Sequence, residues 1–335
     1  MNMRTKLYMI ALAAISMMLG SCSDSNSEFS QDFLADTPIK LNVSVDEPTT
    51  RAGYSDADKP TGFGLAVWHD INNDNDKYNY YVWAEWEDNN WKTYDLIPYM
   101  IYGTKREVNL LWANMNDNVT ITATSYNNEE DGTIRNNPTN QTTPDSLKKA
   151  DFLAMPVTEV KPSQSGINVE FKHTMSKINL TIELGDEYEF TADVDKKITD
   201  VKIDGSMVEA SYEIHSSTKD PQFSFSSHSG DPTPISPFRT GTTPYSKTNG
   251  VITKATATYE AILIPQTIAS GKFTVSFKVD GKLYEWAYDK DLTLAPTTAY
   301  TLKLTAGDDK VQPVSFSVAP WGEGNGKDGE EKETD

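Results

Sequence analysis

The chain is poor in cysteine, histidine and positive charge. Its single cysteine, Cys22 among 335 residues, excludes an intrachain disulfide, a multi-cysteine zinc site and a C-x-x-C redox pair. The four histidines, His69, His173, His215 and His228, are too scattered for a two-histidine zinc motif. Lys and Arg number 30 against 49 Asp and Glu, a formal charge of −19. That deficit disfavours nucleic acid and anionic lipid headgroups as partners, because both are held through Lys and Arg. No G-x-S-x-G elbow and no Walker loop occurs. Gly324–Gly329 (GNGKDG) matches G-x-G-x-x-G in letters, but the chain runs only six residues further, where a helix is required. The sequence thus supplies no catalytic constellation, no metal set and no cofactor motif, and we expect a protein that is not an enzyme.

Export and attachment are what the amino terminus supplies. Arg4 and Lys6 precede an apolar run, Leu7 to Leu19, that is too short to span a bilayer; residues 1–21 read as a signal peptide. Leu19-Gly20-Ser21-Cys22 resembles a bacterial lipobox, in which Cys22 becomes the lipidated first residue and holds the precursor in the outer membrane. Residues 22–37, rich in Ser, Asp and Asn, read as a flexible tether. Residues 322–335 carry almost no apolar side chain and read as a mobile acidic tail.

Between these ends the pattern is all-β. Apolar residues alternate at Ile39, Leu41, Val43 and Val45, at Ile178 to Leu184, at Phe273 to Val279, and at Val314, Phe316 and Val318. Each such run is expected to bury one face. Asp280-Gly281 marks a tight hairpin. Many short strands over this length suggest two tandem β-sandwich domains, 38–173 and 174–321. The polar stretch between Ser125 and Leu147 reads as an insertion, with a short helix near 146–150 capped by Asp145. His173 reads as a hydrogen-bonded structural histidine.

Two stretches offer binding chemistry. Asp70, Asn72, Asp74 and Asp76 alternate as in the start of a calcium loop, but the sixth and twelfth positions are Asn75 and Tyr81. A solvated loop of Asx turns is the main reading and calcium the alternative. Residues 78–91 (YNYYVWAEWEDNNW) are aromatic. Core packing is the main reading, with Trp83 and Trp86 as a carbohydrate platform the alternative.

Three features together resemble the fimbrillin family, the type V pilins of anaerobic Gram-negative bacteria. The first is the lipoprotein signal and tether followed by an alternating strand and Thr50-Arg51-Ala52. The second is residues 169–184, VEFKHTMSKINLTIEL. The third is Ile262-Leu263-Ile264-Pro265-Gln266-Thr267, then the strand 273–279, and a last strand ending at Trp321. The resemblance implies two transthyretin-like sandwiches and a lipoprotein precursor of surface fimbriae that serves adhesion, with other pilin subunits and surface glycans or proteins as partners; the alternative is a protein that stays lipid-anchored, as a fimbrial anchor or accessory subunit or a glycan-binding surface lipoprotein. It also implies cleavage between Arg51 and Ala52, which would remove the strand Ile39, Leu41, Val43 and Val45. A donor strand carrying Val314, Phe316 and Val318 from another subunit would then enter the opened groove. Cutting there would remove four basic residues (Arg4, Lys6, Lys40 and Arg51) and six acidic ones, so the remainder stays acidic.

Overall fold

The structure is a computed structural model that describes residues 35–46, 54–73, 75–125, 134–185, 188, 194–307 and 311–321. Cys22, the signal peptide, most of the tether, Arg51, Ala52, Asp74 and the tail 322–335 lie outside the described residues. The fold is all-β, with three short helices among the described residues, Leu96–Tyr102, Pro144–Ala150 and Val194–Lys197.

Among the described residues the first half supplies eight strands: β1 (Leu41–Val45), β2 (Gly62–Trp68), β3 (Tyr80–Glu87), β4 (Asn90–Asp95), β5 (Val119–Ser125), β6 (Ile134–Asn136), β7 (Leu153–Val160) and β8 (Ile167–His173). All but β6 form one sheet in the order β1-β8-β7-β5-β2-β3-β4. Strands β7 and β8 pair only where Leu153 meets His173 and Ala154 meets Lys172. Beyond that corner the sheet folds back on itself. Phe63 of β2 and Phe171 of β8, separated by two strands in the sheet order, meet edge to face at 5.2 Å. Alternation explains the core: Phe63, Leu65 and Val67 of β2, and Ile167, Val169 and Phe171 of β8, all point inward and are buried.

The second half contains β9 (Ser176–Leu184), β10 (Ile198–Asp204), β11 (Glu209–Ile214), β12 (Phe223–Ser229), β13 (Phe238–Thr243), β14 (Ser246–Thr248), β15 (Val251–Thr253), β16 (Thr256–Leu263), β17 (Gln266–Ile268), β18 (Thr274–Val279), β19 (Lys282–Ala287), β20 (Leu292–Leu294), β21 (Thr298–Ala306) and β22 (Val311–Pro320). A five-stranded sheet, β13-β16-β9-β21-β22, shares its core with the three-stranded sheet β10-β18-β19. Ile178, Leu180 and Ile182 of β9 belong to that core together with Val275, Phe277 and Val279 of β18. The β18–β19 hairpin turns at Asp280 (φ 50°) and Gly281 (φ 82°), the pair of left-handed residues that a two-residue turn needs.

Three expectations need correction. Residues 134–152, assigned by sequence to the domain 38–173, pack with later strands. Strand β6 pairs with β11, and Leu147, Ala150 and Phe152 share a core with Met175, Ala210 and Ile264. Asn137 Nδ2 and Gln141 Nε2 each donate to the Ile262 carbonyl at 2.8 Å, and Gln141 Oε1 accepts the Ile262 N–H at 2.8 Å. Polarity made this stretch look like a surface insertion, whereas its amides serve as a neighbour for the β16 backbone. The helix Pro144–Ala150 is capped by Thr143, not Asp145. Thr143 Oγ1 accepts from the Ser146 N–H and Ser146 Oγ from the Thr143 N–H, while Pro144 and Asp145 occupy its first turn. Finally, β22 alternates without burying a face, as described below.

Candidate functional site

Strand β1 forms one edge of the first sheet. It runs parallel to β8, with Leu41 opposite Ile167, Val43 opposite Val169 and Val45 opposite Phe171, and among the described residues no strand lies on its other side. The ladder begins with the Ile167 N–H donating to the Lys40 carbonyl (2.8 Å) and ends with the Asp46 N–H donating to the Phe171 carbonyl (2.7 Å). Gly166 makes that approach possible. It has φ +88°, and a Cβ there would lie 2.2 Å from the Lys40 carbonyl oxygen. Lys59 Nζ donates to the Val43 carbonyl on the strand's open side at 2.7 Å. Asn42 Nδ2 lies 3.0 Å from both the Ser165 carbonyl and Asn168 Oδ1.

Val43 and Val45 are buried in the first core, while Ile39 and Leu41 pack on its margin. Burial is worth about 2 kcal/mol for each fully covered side chain. Ahead of the strand, the Ile39 N–H donates to the Leu110 carbonyl (2.8 Å) and the Trp112 N–H to the Thr37 carbonyl (3.0 Å). Strand β1 therefore fills a seat made mostly by β8, as a short edge element whose lead-in is held by Leu110 and Trp112.

Strand β22 lies at the edge of the other large sheet. It pairs antiparallel with β21, and among the described residues its outer edge has no partner. The ladder slips between Lys303, opposite Ser315, and Leu304, opposite Pro313, so Val314 is an extra residue in a bulge. Val314 and Val318 are 54% and 57% exposed, against the sequence expectation of a buried face. Among the described residues no element covers them. Phe316 is half-buried, against Tyr288 at 5.1 Å and Tyr300 at 6.2 Å, and Val311 and Ala319 are half-buried too. Pro313 and Pro320 are tolerated because an edge strand has donors to spare.

A buried polar cluster sits near the end of β22. His173 Nδ1 lies 2.8 Å from Asp151 Oδ1, with both side chains out of solvent, and Asp151 Oδ2 accepts the Tyr54 N–H at 3.0 Å. The Trp321 indole stacks on the His173 ring, with centroids 4.5 Å apart and planes 9° from parallel. Lys177 Nζ lies 5.9 Å over the Trp321 ring and 3.1 Å from Glu260 Oε1. Burial pushes the Lys177 ammonium below its ordinary pKa, and Glu260 partly restores it. The spacing of His173 and Lys177 was visible in sequence. Asp151, one carboxylate in an acidic chain, carried no signal. Gly166 did carry one, as a lone glycine opening an alternating strand.

The other sequence candidates divide. Trp83 is only 7% exposed, because helix Leu96–Tyr102 lays Tyr99 on it at 5.5 Å, nearly parallel. Gly62 yields the space beneath, where a Cβ would fall 2.4 Å from the ring. That ring is closed to a sugar. Trp86 is 47% exposed and meets Trp91 edge to face at 5.3 Å. Beside them, the Lys105 ammonium and then the Tyr94 hydroxyl hold the Glu87 carboxyl at about 2. In the loop 70–76, Asp70 accepts from the Asn72 N–H, and Asp76 from the Tyr78 N–H and His69 Nδ1. These are Asx turns, and among the described residues no group of three or more His, Cys, Asp or Glu is arranged to hold a metal ion. Among the described residues no helix is long and apolar enough to cross a membrane.

The sequence matches the fimbrillin-like family over residues 50–321. No curated protein matches it. Among solved structures it is similar to a candidate cell adhesion protein of Bacteroides ovatus ATCC 8483, with a TM-score of 0.56 at 16% identity, covering 86% of this chain and 98% of that one. A candidate cell adhesion protein of Bacteroides uniformis ATCC 8492 is similar with a TM-score of 0.51 at 15% identity, covering 85% and 98%. At these identities the likeness shows a shared fold.

Proposed function

The chain belongs to the fimbrillin-like family, and from that premise we propose that it is a structural subunit of cell-surface fimbriae, made as an outer-membrane lipoprotein and assembled by strand exchange. The observation that carries this reading is the position of β1. It is a short edge strand, seated parallel on β8, with Arg51 six residues after its last residue, Val45. Lipidation at Cys22 holds the precursor until an Arg-specific protease cuts between Arg51 and Ala52. Loss of β1 then uncovers Ile167, Val169 and Phe171 and leaves one edge of β8 without partners. Both changes are unfavourable in water until another strand enters.

Strand β22 of a second subunit suits that vacancy. It already lies at an edge, with an unpaired side and with Val314 and Val318 uncovered. Each transfer uses a different surface on donor and acceptor, so the contact does not close on itself and a filament grows. The partners on this reading are other pilin subunits, with surface glycans or proteins bound by the finished fibre.

Treating the purified precursor with an Arg-specific protease tests the proposal. Cleavage after Arg51, followed by a ladder of SDS-resistant multimers, is expected. Arg51→Ala should stay uncut there and monomeric. A wild-type protein that is cut and remains monomeric at high concentration would leave a lipid-anchored accessory protein as the better reading.

A further inference from the structure

Strand β22 is held along one edge by its ladder to β21 and, at its end, by a buried side chain. Val314 and Val318 face solvent, the outer edge is unpaired, and Phe316 is only half-buried. Trp321, the next residue after the strand, is 7% exposed. Its N–H donates to the Thr297 carbonyl at 2.7 Å, and its indole lies flat on His173. Asp151 fixes the His173 ring from one side, and the same carboxylate takes the Tyr54 N–H. Leu147, Phe152 and Met175 belong to the same core.

We propose that Trp321 is a latch that keeps β22 in its own chain, and that the Asp151–His173 pair is the plate on which it closes. Two details suit a hold that must also open. His173 Nε2 and Trp321 Nε1 are both buried without a hydrogen-bond partner among the described residues. Opening would give both nitrogens to water, which lowers the cost of release. The plate also touches the lead-in to β2 through Tyr54, three residues beyond Arg51. Cutting after Arg51 turns Tyr54 into the third residue of a free chain end. An end that frays withdraws one donor from the buried Asp151 carboxylate and loosens the plate. Departure of β1 is thereby linked to release of β22. The purpose of the latch rests on the strand-exchange reading, whereas its existence is a property of the uncut monomer.

Amide hydrogen exchange of the uncut monomer tests it. Trp321→Ala is expected to accelerate exchange in residues 314–319 at least tenfold, with β9 and β16 unchanged. Trp321→Leu keeps apolar volume but loses the flat stack. It should show the same local acceleration, and it serves as the reading if the Ala variant does not fold. His173→Gln, which removes the plate, should act in the same direction. Unchanged exchange in β22, or an equal acceleration across the whole five-stranded sheet, would overturn the proposal. Failure of the strand-exchange reading looks different: cut wild-type protein would stay monomeric while β22 exchange still responded to the Trp321 changes.

Discussion

Gly166 and Lys40 approach so closely that a single added carbon at Gly166 would sit 2.2 Å from the Lys40 carbonyl. The residue that admits β1 to its seat is therefore a glycine on the neighbouring loop. Gly166→Ala should push β1 away and destabilise the uncut protein by about 1–3 kcal/mol, the usual cost of overpacking. After removal of residues 1–51, and at a dilution that keeps the cut protein monomeric and its seat empty, the clash has no partner. The penalty should then shrink to about 1 kcal/mol, from the positive φ alone. Denaturant melts of cut and uncut protein measure both. An equal penalty in the two forms would mean that Gly166 does not act through β1.

Lys177 and Glu260 form a buried pair whose worth lies in mutual compensation. Lys177→Met alone should cost about 3–5 kcal/mol, because Glu260 is left charged and unpaired. Adding Glu260→Leu should recover most of that loss. The pH dependence has a definite sign. Burial lowers the folded-state pKa of Lys177 below 10.5, so the unfolded chain binds that proton more tightly. Stability from this group therefore rises as pH climbs through the window just below 10.5, and Lys177→Met should lack that increment. Melts of both proteins across that range provide the comparison.

Trp83 and Trp86 should part company on mutation. Trp83→Ala removes a ring buried beneath Tyr99 and should cost about 3–5 kcal/mol. Trp86→Ala changes a half-exposed side chain and should cost less than about 1 kcal/mol. A glycan array probed with the stable Trp86→Ala protein separates a sugar-stacking role from a packing role. Signal lost with Trp86 and no change in melting would favour carbohydrate binding.

The strands were largely legible in the sequence because alternation reports directly which side chains share a face. Val43 and Val45, Ile178 to Ile182, and Val275 to Val279 are buried in the order that their spacing implied. Alternation does not report what covers a face. Val314 and Val318 keep the pattern and remain in water, because β22 is last in its sheet and bulged. Nor does it identify partners across a long separation. The pairing of β6 with β11 and the amide contacts of Asn137 and Gln141 to Ile262 link residues more than seventy positions apart through a polar stretch. The cluster at Asp151 was hidden for a related reason. Its meaning comes from burial, which an acidic composition conceals. The aromatic run 78–91 split between a covered ring and an open one according to where helix Leu96–Tyr102 lies, and Leu96 to Tyr102 carries too short a pattern to announce that placement.

Gln141 and Asn137 fasten chain from the first half to the backbone of the second, and this affects how the protein can come apart. A fragment that begins at residue 174 would lack the amides that complete Ile262 and the side chains of Leu147, Ala150 and Phe152 that fill the shared core. The two halves are thus unequal in independence. The second depends on a stretch of the first, and heating the intact protein should melt them as one cooperative event, with a calorimetric enthalpy that equals the van't Hoff value. For a subunit standing end to end in a fibre, the junction between its halves would then yield no earlier than the halves themselves.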